Sequence, residues 1–315
     1  MPTPENIANS SSTAWITIGT FDGVHRGHQA ILKQLIQNAH ASSVPAVVVT
    51  FHPHPAEVLG NLNEPYYLCP LEERENLLKK MGIDQVLVLP FTLEFSRQSA
   101  RQFILSLREQ VYFSGILVGP DFHFGAGREG NISTLQALGD ELNFSVETFP
   151  PQTLANEVIS SSAIRQLLRQ GQVRQAAQLL GRWYTVVGEV VHGDGRGRHI
   201  GIPTANVDVW SKQLLPAIGV YAARVVVEGM ELPAALSIGK RPTFYSSLAE
   251  QTLEVHILDF HQDLYGKIIQ VKFIDHLRPE IRYATAAELT EQIQKDIKHT
   301  REVLDHAPQT PDLPA

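Results

Sequence analysis

Cysteine is almost absent: Cys69 is the only one in 315 residues. That excludes an intrachain disulfide framework and any zinc site built on several thiolates. No apolar run approaches transmembrane length, and the polar start, Met1 to Thr13, lacks the basic and apolar regions of a secretory signal. Positive charge is not in excess either. A net charge of −7 argues against a nucleic-acid surface and lends no support to binding of anionic membranes. Nothing fits the G-x-x-x-x-G-K-[ST] phosphate loop. The remaining composition, 43% hydrophobic and 19% charged, is that of an ordinary globular protein. The expectation is a soluble, cytoplasmic chain with short disordered ends, long enough for about two domains, with no nucleic acid or membrane among its partners.

What the sequence does have is a dense signature near its start. Trp15–Ile18 is apolar and β-branched, which predicts a short buried strand. From Gln29 onward Ile31, Leu32, Leu35 and Ile36 recur at helical spacing, so a helix begins near Arg26. The turn between them holds Gly19, Phe21, Gly23, His25, Gly27 and His28. Its glycines allow a ligand to come close or φ to become positive. His25 and His28, three apart, share one face at the positive end of the helix dipole. Free N–H groups, partial positive charge and two imidazoles suit a polyphosphate. A tight turn with two surface histidines is the plainer alternative, but it leaves the coincidence of strand, glycines and histidines unexplained.

Further strands are predicted at Pro45–Phe51, Gln85–Leu89, Ile116–Gly119 and Phe144–Phe149, with helices at Leu71–Met81, Ser99–Val111 and Ile132–Leu142. Such alternation indicates a doubly wound parallel sheet, whose ligands bind beyond the carboxyl ends of the strands. Gly19, His54 and Asp121 all follow strand ends. His52-Pro53-His54-Pro55 reads as a rigid loop, with weak support for a metal site because no further ligand stands at recognised spacing. Gly125–Gly130 matches G-x-G-x-x-G, but five residues separate it from its strand, so the dinucleotide fingerprint is rejected. Ile159–Arg165 opens another helix. Its serines can cap that helix, or Ser161 and Ser162 can meet a phosphate with Arg165 one turn along.

After Gly181-Arg182 the pattern changes to short strands, at Tyr184–Val191, Gly219–Val227, Leu232–Ile238, Thr252–Leu258 and Lys267–Phe273. They predict a small antiparallel barrel, closed by an amphipathic helix over Thr285–Leu304 with Leu289, Ile293 and Ile297 on one face. Between the first two strands, Gly193 to Asn206 interleaves glycines with arginines and can wrap phosphates. Thr204 and Asn206 can offer oxygens to a Mg²⁺ shared with those phosphates. Glu254 lies in a strand, either pointing outward or facing the loop as a proton acceptor.

Taken in order, GTFDGVHRGH, FHPHP, VGPDFHFG, ISSSAIR, GRGRHIGIPTAN, LEVHILDF, DLYGK and LRPE make the chain resemble the bacterial bifunctional riboflavin kinase/FAD synthetase family from Trp15 to Leu304. The resemblance implies an α/β, Rossmann-like FMN adenylyltransferase domain over 14–181 and a riboflavin kinase β-barrel with a terminal helix over 182–305. It implies Mg²⁺, ATP as co-substrate, and riboflavin, FMN and FAD as substrates or products. By motif, His25, His28 and Glu254 would be catalytic, Glu254 as base for the ribityl hydroxyl. Gly19, Phe21, Asp121, Ser161, Ser162, Arg165, Gly193, Gly197, Arg198 and Gly201 would contact nucleotide or phosphate. Pro53, His54, Pro55, Ile202, Arg278 and Glu280 would contact flavin, and Thr204 and Asn206 would hold the metal. The chain departs from the common pattern at His52, His123, Ser162, Ile202 and Ser237.

Overall fold

The computed structural model describes residues 13–60, 62, 64–154, 157–193, 202–241 and 250–311. By packing the chain forms two compact units, residues 1–63 with 71–159 and residues 64–70 with 160–315.

In the first unit five parallel strands stand in the order β3-β2-β1-β4-β5: β1 (Ala14–Ile18), β2 (Ala46–His52), β3 (Gln85–Pro90), β4 (Phe113–Val118) and β5 (Ser145–Thr148). The sheet is apolar on both faces, as a parallel sheet covered by helices requires. Alternate residues of β1 and β2 divide between two cores. Ile16, Ile18, Val47 and Val49 meet Phe103, Ile104 and Leu107 of α4 (Ala100–Gln110) and Leu135 of α5 (Ile132–Leu142). Trp15 and Val48 meet Leu32 and Leu35 of α1 (Arg26–Ala41) and Leu78 of α3 (Leu71–Lys80). A short helix, α2 (Pro55–Val58), starts inside the expected His52–Pro55 loop, because Pro55 suits a first helical position and His54 caps it. Ser99 closes a capping box on α4.

The second unit is a closed antiparallel barrel in the order β10-β11-β12-β9-β8-β13. Its strands are β8 (Tyr184–Val191), β9 (Ala205–Val209), β10 (Gly219–Val227), β11 (Met230–Arg241), β12 (Glu250–Ile257) and β13 (Ile268–Arg278); two short strands, β6 (Thr153–Leu154) and β7 (Glu157–Val158), pair by themselves in the first unit. Val186, Val207, Ala223, Leu236, Leu253, Val255 and Val271 fill the barrel. β9 is a strand that the sequence analysis does not include: Ala205 and Asn206, at the end of the glycine-rich stretch, already pair with β12. Two helices, α6 (Ser161–Arg169) and α7 (Val173–Leu180), belong to this unit, and α7 ends at Gly181 in the left-handed conformation. The last helix, α8 (Ala286–His306), packs on β10, β11 and β13. Its inner face is displaced from the expected one. Leu289, Ile293 and Ile297 are half-buried, and the buried positions are Asp296 and Thr300.

A segment from the middle of the first unit's sequence joins the second. Tyr66 and Tyr67 both donate N–H to the Lys212 carbonyl at 2.9 and 3.0 Å, and Leu214 donates to the Tyr67 carbonyl at 2.9 Å. Gln213 Nε2 reaches the Leu68 carbonyl at 3.2 Å. Tyr67, Leu68 and Cys69 are buried there.

Candidate active sites

In the first unit β1 is central, flanked by β2 and β4, so the turns after these three strands emerge side by side. They carry Gly19 to His28, His52 to Pro55, and Asp121. This is also where the chain, having wound β1 to β3 in one direction, returns to add β4 on the other side, the usual place for a ligand crevice.

His25 is the N-cap of α1, and its Nδ1 accepts the His28 N–H at 3.2 Å. That bond assigns the neutral tautomer with the proton on Nε2. The two imidazoles stack, centroids 3.6 Å apart and 17° from parallel, and Phe21 packs on His28 at 5.0 Å. A Cβ on Gly27 would stand 3.2 Å from the His25 ring, so glycine lets the rings lie close. Phe21 and Val24 hold positive φ, 48° and 38°, while buried. For a β-branched residue that is a strained conformation, of the kind found where a turn is shaped for a ligand.

Beneath this turn lies a residue not marked by the sequence. Arg74 of α3 is 1% exposed. Its guanidinium donates to the Thr20 carbonyl at 2.6 Å and to the Phe51 carbonyl at 3.3 Å. It thereby ties the turn after β1 to the end of β2. Thr20 also accepts the Thr50 hydroxyl at 3.1 Å. A charge at an inward position of α3, one turn before the buried Leu78, was the available signal. His54 uses Nδ1 to accept the Ala56 N–H at 3.1 Å, and the His52–Pro53 peptide is cis. Asp121 is exposed, and its carbonyl lies 2.9 Å from His123 Nδ1. The rejected G-x-G-x-x-G is a local turn closed by the Phe124 and Gly130 backbones.

Ser160 caps α6, with Ser161 and Ser162 in its first turn. Arg165 is buried in the second unit, its Nε on the Tyr66 carbonyl at 2.8 Å and its guanidinium 3.6 Å above the Tyr66 ring.

In the barrel three expected residues converge. β9 and β12 place Asn206 opposite Glu254, and β11 places Ser237 on the other side of Glu254. The Thr204 hydroxyl donates to Glu254 Oε2 at 3.3 Å. A Cβ on Gly193 would overlap the Asn206 amide, so only glycine allows this approach. Pro203 is held through its carbonyl, 2.8 Å from His256 Nδ1, and Ile202 is buried. Gly197, Arg198 and Gly201 lie outside the described residues. A cavity of about 430 Å³ adjoins Thr204, lined also by Phe260, Leu264 and Tyr265, whose ring stacks on His192 at 3.8 Å.

Glu280 is exposed, with Oε1 3.7 Å from the position a Cβ on Gly239 would take. Arg278 is committed elsewhere. Nε and Nη2 form a bidentate pair with Asp296 at 2.9 and 2.7 Å, and Nη1 donates to the Pro279 carbonyl at 3.0 Å. The Asp296 bonds hold the guanidinium pKa above its ordinary value.

Comparison with known proteins agrees with both halves. Residues 7–163 match the FAD synthetase family and residues 180–304 the riboflavin kinase family. A bifunctional riboflavin kinase/FMN adenylyltransferase of Listeria monocytogenes is 39% identical over 91% of each chain, and that of Escherichia coli 40% over 91% of each. A crystal structure described as a macrolide-efflux protein from Streptococcus pneumoniae is 32% identical, covers 93% of this chain and 95% of its own, and superposes with a TM-score of 0.85. No helix among the described residues is long and apolar enough to cross a membrane. With a parallel five-stranded sheet, a closed barrel and relatives that match over nearly their whole length, the chain belongs to the bifunctional riboflavin kinase/FMN adenylyltransferase family.

Proposed function

We propose that the two activities reside in two separate residue groups, with Glu254 the base of the kinase and His25 and His28 the phosphate-handling pair of the adenylyltransferase. The convergence of Thr204, Asn206 and Glu254 carries the reading, because it sets a carboxylate beside two oxygen donors next to a cavity of nucleoside size.

In the kinase reaction Glu254 takes the proton of the ribityl 5′-hydroxyl as that oxygen bonds to the γ-phosphorus of ATP and ADP departs. The hydroxyl of Thr204 and the amide oxygen of Asn206 are hard donors that fit Mg²⁺, which needs only one or two protein ligands when phosphates supply the rest. Bound there, the ion supplies charge neutralisation. Thr204 also orients the Glu254 carboxylate, and Gly193 keeps the Asn206 amide in place. The cavity beside Thr204, with Tyr265, takes the nucleoside, and Gly197, Arg198 and Gly201 contact phosphate by motif. Ile202 and Glu280 stay on the flavin side. Arg278 acts there through the backbone it braces, since its donors are engaged.

In the adenylyltransferase a phosphate oxygen of FMN attacks the α-phosphorus of ATP and pyrophosphate leaves. His25 offers Nε2–H to the phosphates, and stacking keeps His28 beside it. Both sit at the N-terminus of α1, where the dipole favours negative charge. Gly19, Phe21 and Asp121 border the nucleotide, and Pro53, His54 and Pro55 the flavin. Ser161, Ser162 and Arg165 are carried as phosphate contacts by motif alone.

The test is a pair of variants assayed for both products. His28→Ala keeps FMN formation and loses FAD formation. Glu254→Gln lowers FMN formation by about a hundredfold to ten-thousandfold, the usual worth of a general base, and converts supplied FMN to FAD at the normal rate. Loss of both activities in either folded variant would overturn the separation.

A further inference from the structure

α8 brings one charge inside. Asp296 is 6% exposed, and both of its carboxylate oxygens are engaged. Oδ1 accepts from Arg278 Nε and Gln292 Nε2, both at 2.9 Å, and Oδ2 accepts from Arg278 Nη2 at 2.7 Å. The chain is anchored just beyond the far end of this helix. Arg224 of β10 donates to the Ala307 and Pro308 carbonyls at 2.7 and 3.0 Å, and Trp183 Nε1 donates to the Gln309 carbonyl at 3.1 Å. Asp296 is therefore a fixed point against the barrel.

Stability gives little reason for such a pair. Burying two charges is costly, and apolar residues of like volume often hold a fold equally well. What the pair supplies is direction, because a planar guanidinium meets a carboxylate through two parallel bonds in one orientation. In that orientation Nη1 donates to the Pro279 carbonyl at 3.0 Å, and the guanidinium carbon lies 5.9 Å from the centre of the Tyr283 ring. It thus holds both ends of a short arch, residues 279–283, in which Pro279, Glu280, Ile281 and Arg282 are exposed. Within the arch Glu280 reaches β11, its Oε1 3.7 Å from where a Cβ on Gly239 would stand. Gly239 is two positions along β11 from Ser237, the residue paired with Glu254, a separation of roughly 7 Å.

We propose that Asp296 is a positioning residue for riboflavin: through Arg278 it presets the arch beside β11, so that Glu280 and Ile281 are in place when the flavin arrives. This rests on the reading that puts Glu280 on the flavin side of the kinase. Without the clamp the arch must be ordered at binding, which lowers affinity.

The full chain is compared as wild type, Asp296→Asn, the double variant Asp296→Leu/Arg278→Met, and Glu280→Ala, each for melting temperature, kcat, and the KM of riboflavin and of ATP. In Asp296→Asn and in the double variant the riboflavin KM is expected to rise about tenfold, with kcat and the ATP KM within about threefold of wild type. The double variant separates positioning from folding. It removes both charges together, so it should melt close to wild type and still bind riboflavin weakly. A wild-type riboflavin KM in the double variant would overturn the proposal, since the pair would then serve the fold alone. So would an equal rise in the ATP KM. A raised riboflavin KM in Glu280→Ala but not in Asp296→Asn would leave the flavin side where it is and overturn the role of Asp296. An unchanged riboflavin KM in all three variants would remove the arch from the flavin side, and the proposal with it.

Discussion

Arg74 offers the sharpest separation between holding the fold and holding the site. Arg74→Met keeps the length of the side chain and removes two charge-assisted bonds, at 2.6 Å to the Thr20 carbonyl and 3.3 Å to the Phe51 carbonyl. Each such bond is worth about 1.5 to 3 kcal/mol, the longer one at the low end. Against this, the wild type holds a guanidinium in a nearly dry place, with Nε buried and unpartnered among the described residues, and the substitution removes that penalty. The two effects oppose each other, so the net loss of stability is expected to be only about 1 to 3 kcal/mol. Catalysis receives no such relief. Thr20 keeps only the Thr50 hydroxyl, so the turn after β1 is held to the end of β2 by that bond without the guanidinium bridge to the Phe51 carbonyl. A displacement of about 1 Å in a reacting group costs on the order of a hundredfold. FAD formation from FMN, followed by pyrophosphate release, should therefore fall by about that factor, while riboflavin phosphorylation in the same sample stays normal. A folded Arg74→Met protein whose adenylylation remains within about threefold of wild type would refute the reasoning.

Three other outcomes follow from particular contacts. Gly193→Ala pushes the Asn206 amide aside, so kinase turnover should drop by about tenfold to a hundredfold with adenylylation unaffected; unchanged kinase kinetics would remove Asn206 from the site. Leu68→Ala should cost about 2 to 5 kcal/mol and show as earlier heat inactivation of the kinase, although position 68 lies within the adenylyltransferase stretch of sequence; earlier loss of adenylylation alone would count against the packing described. Burial holds the His276 imidazole pKa below its ordinary value, with Asp275 opposing. A depressed folded pKa means that this stability is complete above about pH 6.5 and is lost as pH falls through the folded pKa. In His276→Gln the acid-side decline in melting temperature of the kinase unit should be shallower, and an unchanged slope would show that another group causes it.

Local signals predicted the local structure. The β1 strand, the glycine turn and the α1 start were legible because strand period, helix period and capping agree over fourteen residues from Trp15 to His28. Glu254, Thr204 and Asn206 could be selected by motif, but only the pairing of β9 with β12 brings them together. β9 itself was hidden by its glycine-rich approach, although Ala205-Asn206-Val207-Asp208-Val209 alternates as a strand should. Arg74 and Asp296 look like ordinary surface charges on amphipathic helices. Their burial depends on partners contributed by other elements, the Thr20 and Phe51 carbonyls for one and Arg278 for the other. The docking of residues 64–70 has no short-range signal at all, since Leu68 and Gln213 are 145 positions apart.

That separation sets a timetable for biosynthesis. Ribosomes add about 5 to 20 residues per second, so Tyr67, Leu68 and Cys69 emerge roughly 7 to 30 s before the connection after β9 that they pair with. Through that interval the nascent first unit carries an apolar stretch with no place to bury it, and the sole thiol of the chain is among the residues left uncovered. The second unit, for its part, cannot be completed from its own continuous stretch of messenger. A gene divided at any single point between residues 70 and 160 would leave one product missing a packed segment and the other holding it, so the two units are tied to a single reading frame by a stretch of seven residues.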